Sequence, residues 1–186
     1  MRRHCRFGSC RRGAVRLLIL ALVLAAGAGA RAEVVESSKT GFKIEHELIL
    51  PISPEDAFDV MTGDISGWWD HSMSGSPKKL HIEPRPGGGF MEIFDDEGNG
   101  VLHATVIYAH RGKLLRFEGP LGLSGNAITM VTTYEYEPHE EGARVKVTAV
   151  AAGKLAEGWD EAVNGAWYHF LFERLKPHIE SGAYRD

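Results

Sequence analysis

A change of hydrophobic period after Gly153 constrains this chain more than any other feature. From Leu80 to Ala151 the apolar residues come in short runs: 80–83, 90–94, 101–109, 114–119, 128–137 and 144–151. Turn-forming clusters separate them, among them Pro86-Gly87-Gly88-Gly89, Asp95 to Gly100 and His139 to Gly142. Such spacing predicts an antiparallel meander. From Glu157 to Ile179 the period becomes helical: Trp159, Val163, Trp167, Phe170, Leu171, Leu175 and Ile179 recur at three and four residues, with charged groups opposite. Pro177 falls in the last turns of this helix and is expected to kink it or end it early.

Ahead of the meander, Phe42, Ile44, His46 and Leu48 alternate with Lys43, Glu45, Glu47 and Ile49, the pattern of a strand with one buried face. Ser53-Pro54-Glu55-Asp56 then places an N-cap, a first-turn proline and first-turn acids at the start of a short helix. One strand, a short helical pair, six strands and a long last helix make an α+β plan, in which a curved sheet of about six or seven strands wraps the final helix. Where large side chains do not fill the space between sheet and helix, a small ligand fits.

The N-terminus does not belong to this domain. Residues 1–16 carry six arginines and no acid, and "LLILALVLAAGAGA" follows. This is the layout of a secretory signal peptide ending after Ala32 or Ala30; its apolar run of about 14 residues is short of the roughly 20 that span a bilayer. Two Arg-Arg pairs leave general and twin-arginine export both open. Residues 1–32 are thus expected to be a leader and 33–41 a flexible lead-in, with the domain over 42–182. The expected location is the periplasm or the exterior, without stable membrane insertion after cleavage.

Of 21 basic and 25 acidic residues, the leader holds seven arginines and no acid, which leaves 14 against 25 and a net charge near −11. A surface so acidic repels a phosphate backbone, so no nucleic-acid partner is expected. Both cysteines, Cys5 and Cys10, lie in the leader.

Individual motifs mostly reduce to turns. Gly87-Gly88-Gly89 runs into a strand, not a helix, and lacks a following Gly-Lys-Ser/Thr, so it reads as a chain reversal and not a phosphate cradle. The segment from Asp95 to Gly100 begins like a calcium loop, but Val106 stands where a bidentate Glu is required. Eight histidines follow the leader without helical metal spacing, and the side chains of the neighbours Asp70 and His71 are expected to diverge. No metal or cofactor is expected, although a metal site assembled from distant residues is left open. No G-x-S-x-G elbow is present.

Two signals remain. His103 interrupts an apolar strand and either points inward, as an acid or base near neutral pH, or faces solvent. The large aromatics Trp68, Trp69, Tyr134 and Tyr136, with Trp159 and Trp167 beside Val163 on the helix, either wall a cavity or simply form core.

The segments "ISPEDAFDVMT", "WWD", "IEPRPGGGFMEIFDDEGNG", "LLRFEGPLG", "TYEYEPHEEGARVKVTA" and "GWDEAVNGAWYHFLFERLKPHIES", in this order, resemble the SRPBCC or START-like superfamily. Within it they are most similar to the branch called activator of heat-shock-protein-90 ATPase homologue. The resemblance spans roughly residues 42–182 and implies a helix-grip fold, a curved antiparallel sheet around a long C-terminal helix enclosing a cavity for lipids, sterols, polyketides or other apolar molecules. It implies no shared catalytic set: Trp68-Trp69, the glycine triplet and Gly165-Ala166-Trp167 match structural or cavity-lining positions. The function expected is an exported protein holding a small hydrophobic or amphipathic molecule. One rival is a cyclase or dehydratase using His103 with Tyr134 or Tyr136. The other is an acidic protein-interaction module, whose protein partner the sequence does not name.

Overall fold

The structure, a computed structural model, describes residues 31–185. The expected leader, up to residue 30, lies outside them. Among the described residues, nine strands form one curved, unclosed antiparallel sheet. They are β1 (Arg31–Ser37), β2 (Gly41–Leu50), β3 (Gly63–Asp64), β4 (Lys79–Ile82), β5 (Gly89–Ile93), β6 (Gly100–His110), β7 (Leu114–Gly119), β8 (Ile128–His139) and β9 (Gly142–Gly153). Their order across the sheet is β1-β2-β9-β8-β7-β6-β5-β4-β3, so the chain leaves β2 and crosses to the far edge before the meander brings it back.

The meander and the α+β plan stand, but the sheet has nine strands and not six or seven. The two additions are its edges. β1 grows out of the polar lead-in, so residues 33–37 are a strand paired with β2 and not a loose segment. β3 is two residues long. Neither carries an alternation of its own, because an edge strand needs a neighbour's free backbone groups more than a buried face.

The crossing segment begins with α1 (Pro54–Val60), capped as the sequence implies: the Ser53 Oγ accepts from the Asp56 amide at 3.1 Å. A second short helix, expected beside it, is replaced by the short strand β3 and by turns over 65–78. The C-terminal helix covers 22 residues, 159–180. It comprises α2 (Trp159–Tyr168), a π-wound stretch over His169–Leu175, and α3 (Lys176–Glu180). Pro177 therefore does not end the helix. The winding changes just before it, where a proline has neither an amide to offer nor room for the carbonyl four residues back.

Register explains how the sheet accepts this helix. The inward residues of β2, Phe42, Ile44, His46, Leu48 and Leu50, face Ala151, Ala149, Val147, Val145 and Ala143 of β9. Small residues beside large ones keep the concave face shallow. At the β4–β5 reversal, Gly87 adopts φ 77° and its amide donates to the Val106 carbonyl at 2.8 Å. A Cβ on Gly88 would collide with the Glu83 carbonyl oxygen. The glycine triplet is thus a turn tied to β6.

Candidate functional site

Between the first half of the C-terminal helix and strands β5, β6 and β8 lies a cavity of about 370 Å³. The chain 69–73 and the short 3₁₀ turn Leu121–Leu123 complete its wall. Five of the expected residues are on it: Trp69, His103, Trp159, Val163 and Trp167. Trp69 is the centre of the aromatic packing, stacked on Phe170 at 3.9 Å and edge-on to Phe90 at 5.1 Å and Trp167 at 5.7 Å. Ala162 and Ala166 complete the helix side. Leu121 overhangs it in a left-handed backbone conformation, φ 48°, that costs a branched-chain residue about 1–2 kcal/mol.

Trp68, Tyr134 and Tyr136, expected on the wall, are not on it. Trp68 turns into the core and donates from Nε1 to the Val60 carbonyl at 3.0 Å. Tyr134 is sealed between Phe117 and Trp167, and Tyr136 packs on Phe58. Burial raises both phenols above their ordinary pKa, so neither is poised to release a proton. Alternation correctly turns these tyrosines inward, yet inward in this sheet is mostly solid core.

His103 reaches the cavity through an irregularity. Pairing between β5 and β6 slips between Phe90 and Met91, which face Ala104 and Leu102, so His103 is the extra residue of a β-bulge. In consequence His103 and Ala104 are both buried, and the imidazole points inward. Its Nε2 lies 3.1 Å from Oε2 of Glu92, a fully buried carboxylate on β5. Glu92 also accepts from the amides of Met73 at 2.9 Å and Ser74 at 3.0 Å, and from the Ser74 hydroxyl at 2.8 Å. Burial by itself would raise its pKa, but these four donors outweigh it and hold the group down at about 2. An ionised Glu92 can only accept, so Nε2–H of His103 is the donor of this bond.

Glu92 is absent from the sequence reading, although a signal exists: it shares the alternating face of Phe90, where an acid is out of place unless it is fully hydrogen-bonded. Another buried ionisable group, His46 on β2, sits under the helix against Phe172. Burial lowers its pKa to about 4, with Asn164 opposing; neither ring nitrogen makes a well-formed hydrogen bond.

At the cavity rim, Asp70 and His71 converge instead of diverging. Oδ1 of Asp70 is 3.1 Å from Nδ1 of His71 and 3.0 Å from Nε2 of His169, across 99 residues of sequence. His169 lies at the start of the π-wound stretch, and its Nδ1 is 2.7 Å from Oε2 of Glu173. Arg174 Nε is 3.1 Å from Oδ2 of Asp70. Carboxylates on both ring nitrogens raise the pKa of His169, the bond to Glu173 contributing most.

No family model matches the chain, and no curated protein matches it. Solved structures do. An uncharacterised protein from Rhizobium leguminosarum superimposes with a TM-score of 0.60 at 15% identity, over 82% of this chain and 98% of its own. Protein CV1439 from Chromobacterium violaceum gives 0.57 at 18% identity, over 74% and 96%. A protein of unknown function from Staphylococcus aureus gives 0.56 at 14% identity, over 77% and 96%. These likenesses show the fold, a large antiparallel sheet with a C-terminal helix compatible with the helix-grip layout.

Proposed function

We propose that this chain is an exported member of the SRPBCC or START-like superfamily that binds a small apolar or amphipathic molecule in the cavity between sheet and helix. One observation carries the reading: a mostly hydrophobic space of about 370 Å³, within the usual size range of small-molecule sites, with the buried imidazole of His103 on its wall, oriented by Glu92 behind it. Apolar burial supplies the affinity, and the imidazole fixes the polar end of the ligand. Native mass spectrometry of protein purified from its own envelope fraction, followed by solvent extraction, tests it. A homologous series of bound amphiphiles then tightens about fourfold per methylene, the equivalent of about 0.8 kcal/mol, until the cavity is full. Absence of any bound species, and affinity indifferent to chain length, would overturn the reading. Export is checked by the mass of the mature N-terminus.

A second reading is favoured by the same pair. Glu92 orients the His103 ring through its Nε2, the arrangement of a general acid–base group facing an apolar substrate, as in a cyclase or dehydratase. The tyrosine partner expected for such chemistry is not on the wall. Replacement of His103 by Gln abolishes turnover if the reading holds and leaves ligand uptake in place.

A further inference from the structure

The cluster at the cavity rim has the donor set and the spacing of a metal site. Two ligand atoms bound to one ion at about 2.0–2.2 Å, at angles near 90–110°, stand about 3–3.5 Å from each other. Oδ1 of Asp70 already keeps such distances, 3.1 and 3.0 Å, to the nitrogens of His71 and His169. One ligand atom from each of the three residues lies within 4.8 Å of the others.

Each of the three is also held by a group that is not itself a ligand. Glu173 accepts from Nδ1–H of His169, which leaves Nε2 as the atom facing Asp70, the carboxylate–histidine arrangement found behind metal-bound imidazoles. Arg174 holds Asp70 through Oδ2, which His169 Nε2 also approaches at 3.0 Å, while Oδ1 faces both histidines. Phe170 stands edge-on to the His71 ring at 4.7 Å. All three supports come from the π-wound stretch His169–Leu175, a kind of winding that recurs at functional sites. The cluster is reachable from solvent, with His71 and Asp70 exposed, and His71 also forms part of the cavity wall.

We propose that Asp70, His71 and His169 bind a divalent transition-metal ion of borderline softness, with Zn²⁺ the best match to two imidazoles and one carboxylate. The ion takes the place of any proton on Nε2 of His169, which is released to solvent, while Nδ1 keeps its proton and donates it to Glu173. Three protein ligands leave a fourth tetrahedral position for water or for a polar group of a molecule in the adjacent cavity. The site stands whether or not the cavity binds a ligand.

Titration of the intact, tag-free protein with Zn²⁺ by calorimetry, and with Co²⁺ by visible absorption, tests the assignment. The expected result is one saturable equivalent of micromolar or tighter affinity and a Co²⁺ spectrum of low coordination number. Affinity falls at least tenfold in His71→Ala and in His169→Ala, and about tenfold in Glu173→Gln, which removes only the supporting carboxylate. Asp70→Asn keeps the shape of the residue and serves where an alanine variant misfolds by far-UV circular dichroism; it too loses the ion. No saturable uptake, or uptake undiminished in the correctly folded His71, His169 and Asp70 variants, would overturn the proposal and leave the cluster as an ion-pair network alone.

Discussion

Beneath the second half of the C-terminal helix, Leu171, Leu175 and Ile179 are fully buried and the interior is solid; beneath its first half, Ala162, Val163 and Ala166 border open space. What differs is side-chain volume on one face of one helix, helped by a strand, β6, whose bulge substitutes a histidine for a simple alternation. The cavity is thus a local shortage of filler inside a conventional sandwich of sheet and helix. Close packing elsewhere is what allows that shortage to persist without collapse.

The largest effect that sharpens this contrast is truncation at the solid end. Leu175→Ala leaves a void there and costs about 2–5 kcal/mol, read as a melting temperature lower by about 2–4 °C for each kcal/mol. Val163→Ala, whose side chain already borders space, costs much less, and equal losses in the two variants would break the comparison.

Next come two of the buried ionisable groups, His46 and Glu92, one for each half of an acid titration. His46 is neutral when folded, with a pKa near 4 against an ordinary 6.5, so the unfolded chain binds the extra proton between those values. Stability therefore falls as pH drops from 6.5 towards 4, by up to about 3 kcal/mol, and chemical denaturation of His46→Leu shows no such leg. Glu92 is ionised when folded, with a pKa near 2 against an ordinary 4.5. Its contribution is complete above about 4.5 and is lost as pH falls towards 2, again by up to about 3 kcal/mol; Glu92→Gln removes that dependence and lowers stability at pH 7.

Filling the open end has a smaller effect on stability and a decisive one on uptake. Ala166→Phe places a ring in the cavity, changes stability by less than the 1–3 kcal/mol of ordinary overpacking, and abolishes binding of the amphiphile series. Smallest is Gly87→Ala in the left-handed turn, expected to cost about 1 kcal/mol with the cavity intact. A loss of ligand in this last variant would show that the β4–β5 turn supports the site.

The seven strand-like runs and the long helix were legible because period is a local property: each run states which of its faces is buried. β1 and β3 were not, since polar edges pair only where a neighbour offers its backbone. Trp69, Trp159, Val163 and Trp167 were found by size and face, whereas Trp68, Tyr134 and Tyr136 satisfied the same criteria and are core. Size and face establish that a residue points inward; whether inward is empty depends on Ala162 and Ala166, two unremarkable helix formers.

Sequence by itself determined the order of elements, the capped start of α1 at Ser53, the turn at Gly87 and the acidic balance, because each depends on neighbours along the chain. Tertiary structure alone decided where the space lies and which polar groups meet. Glu92 reaches His103 through one bulge over 11 residues, and Asp70 reaches His169 over 99. Those meetings depend on register and on the winding of the last helix, and a pair distance in space is not a function of spacing in the chain.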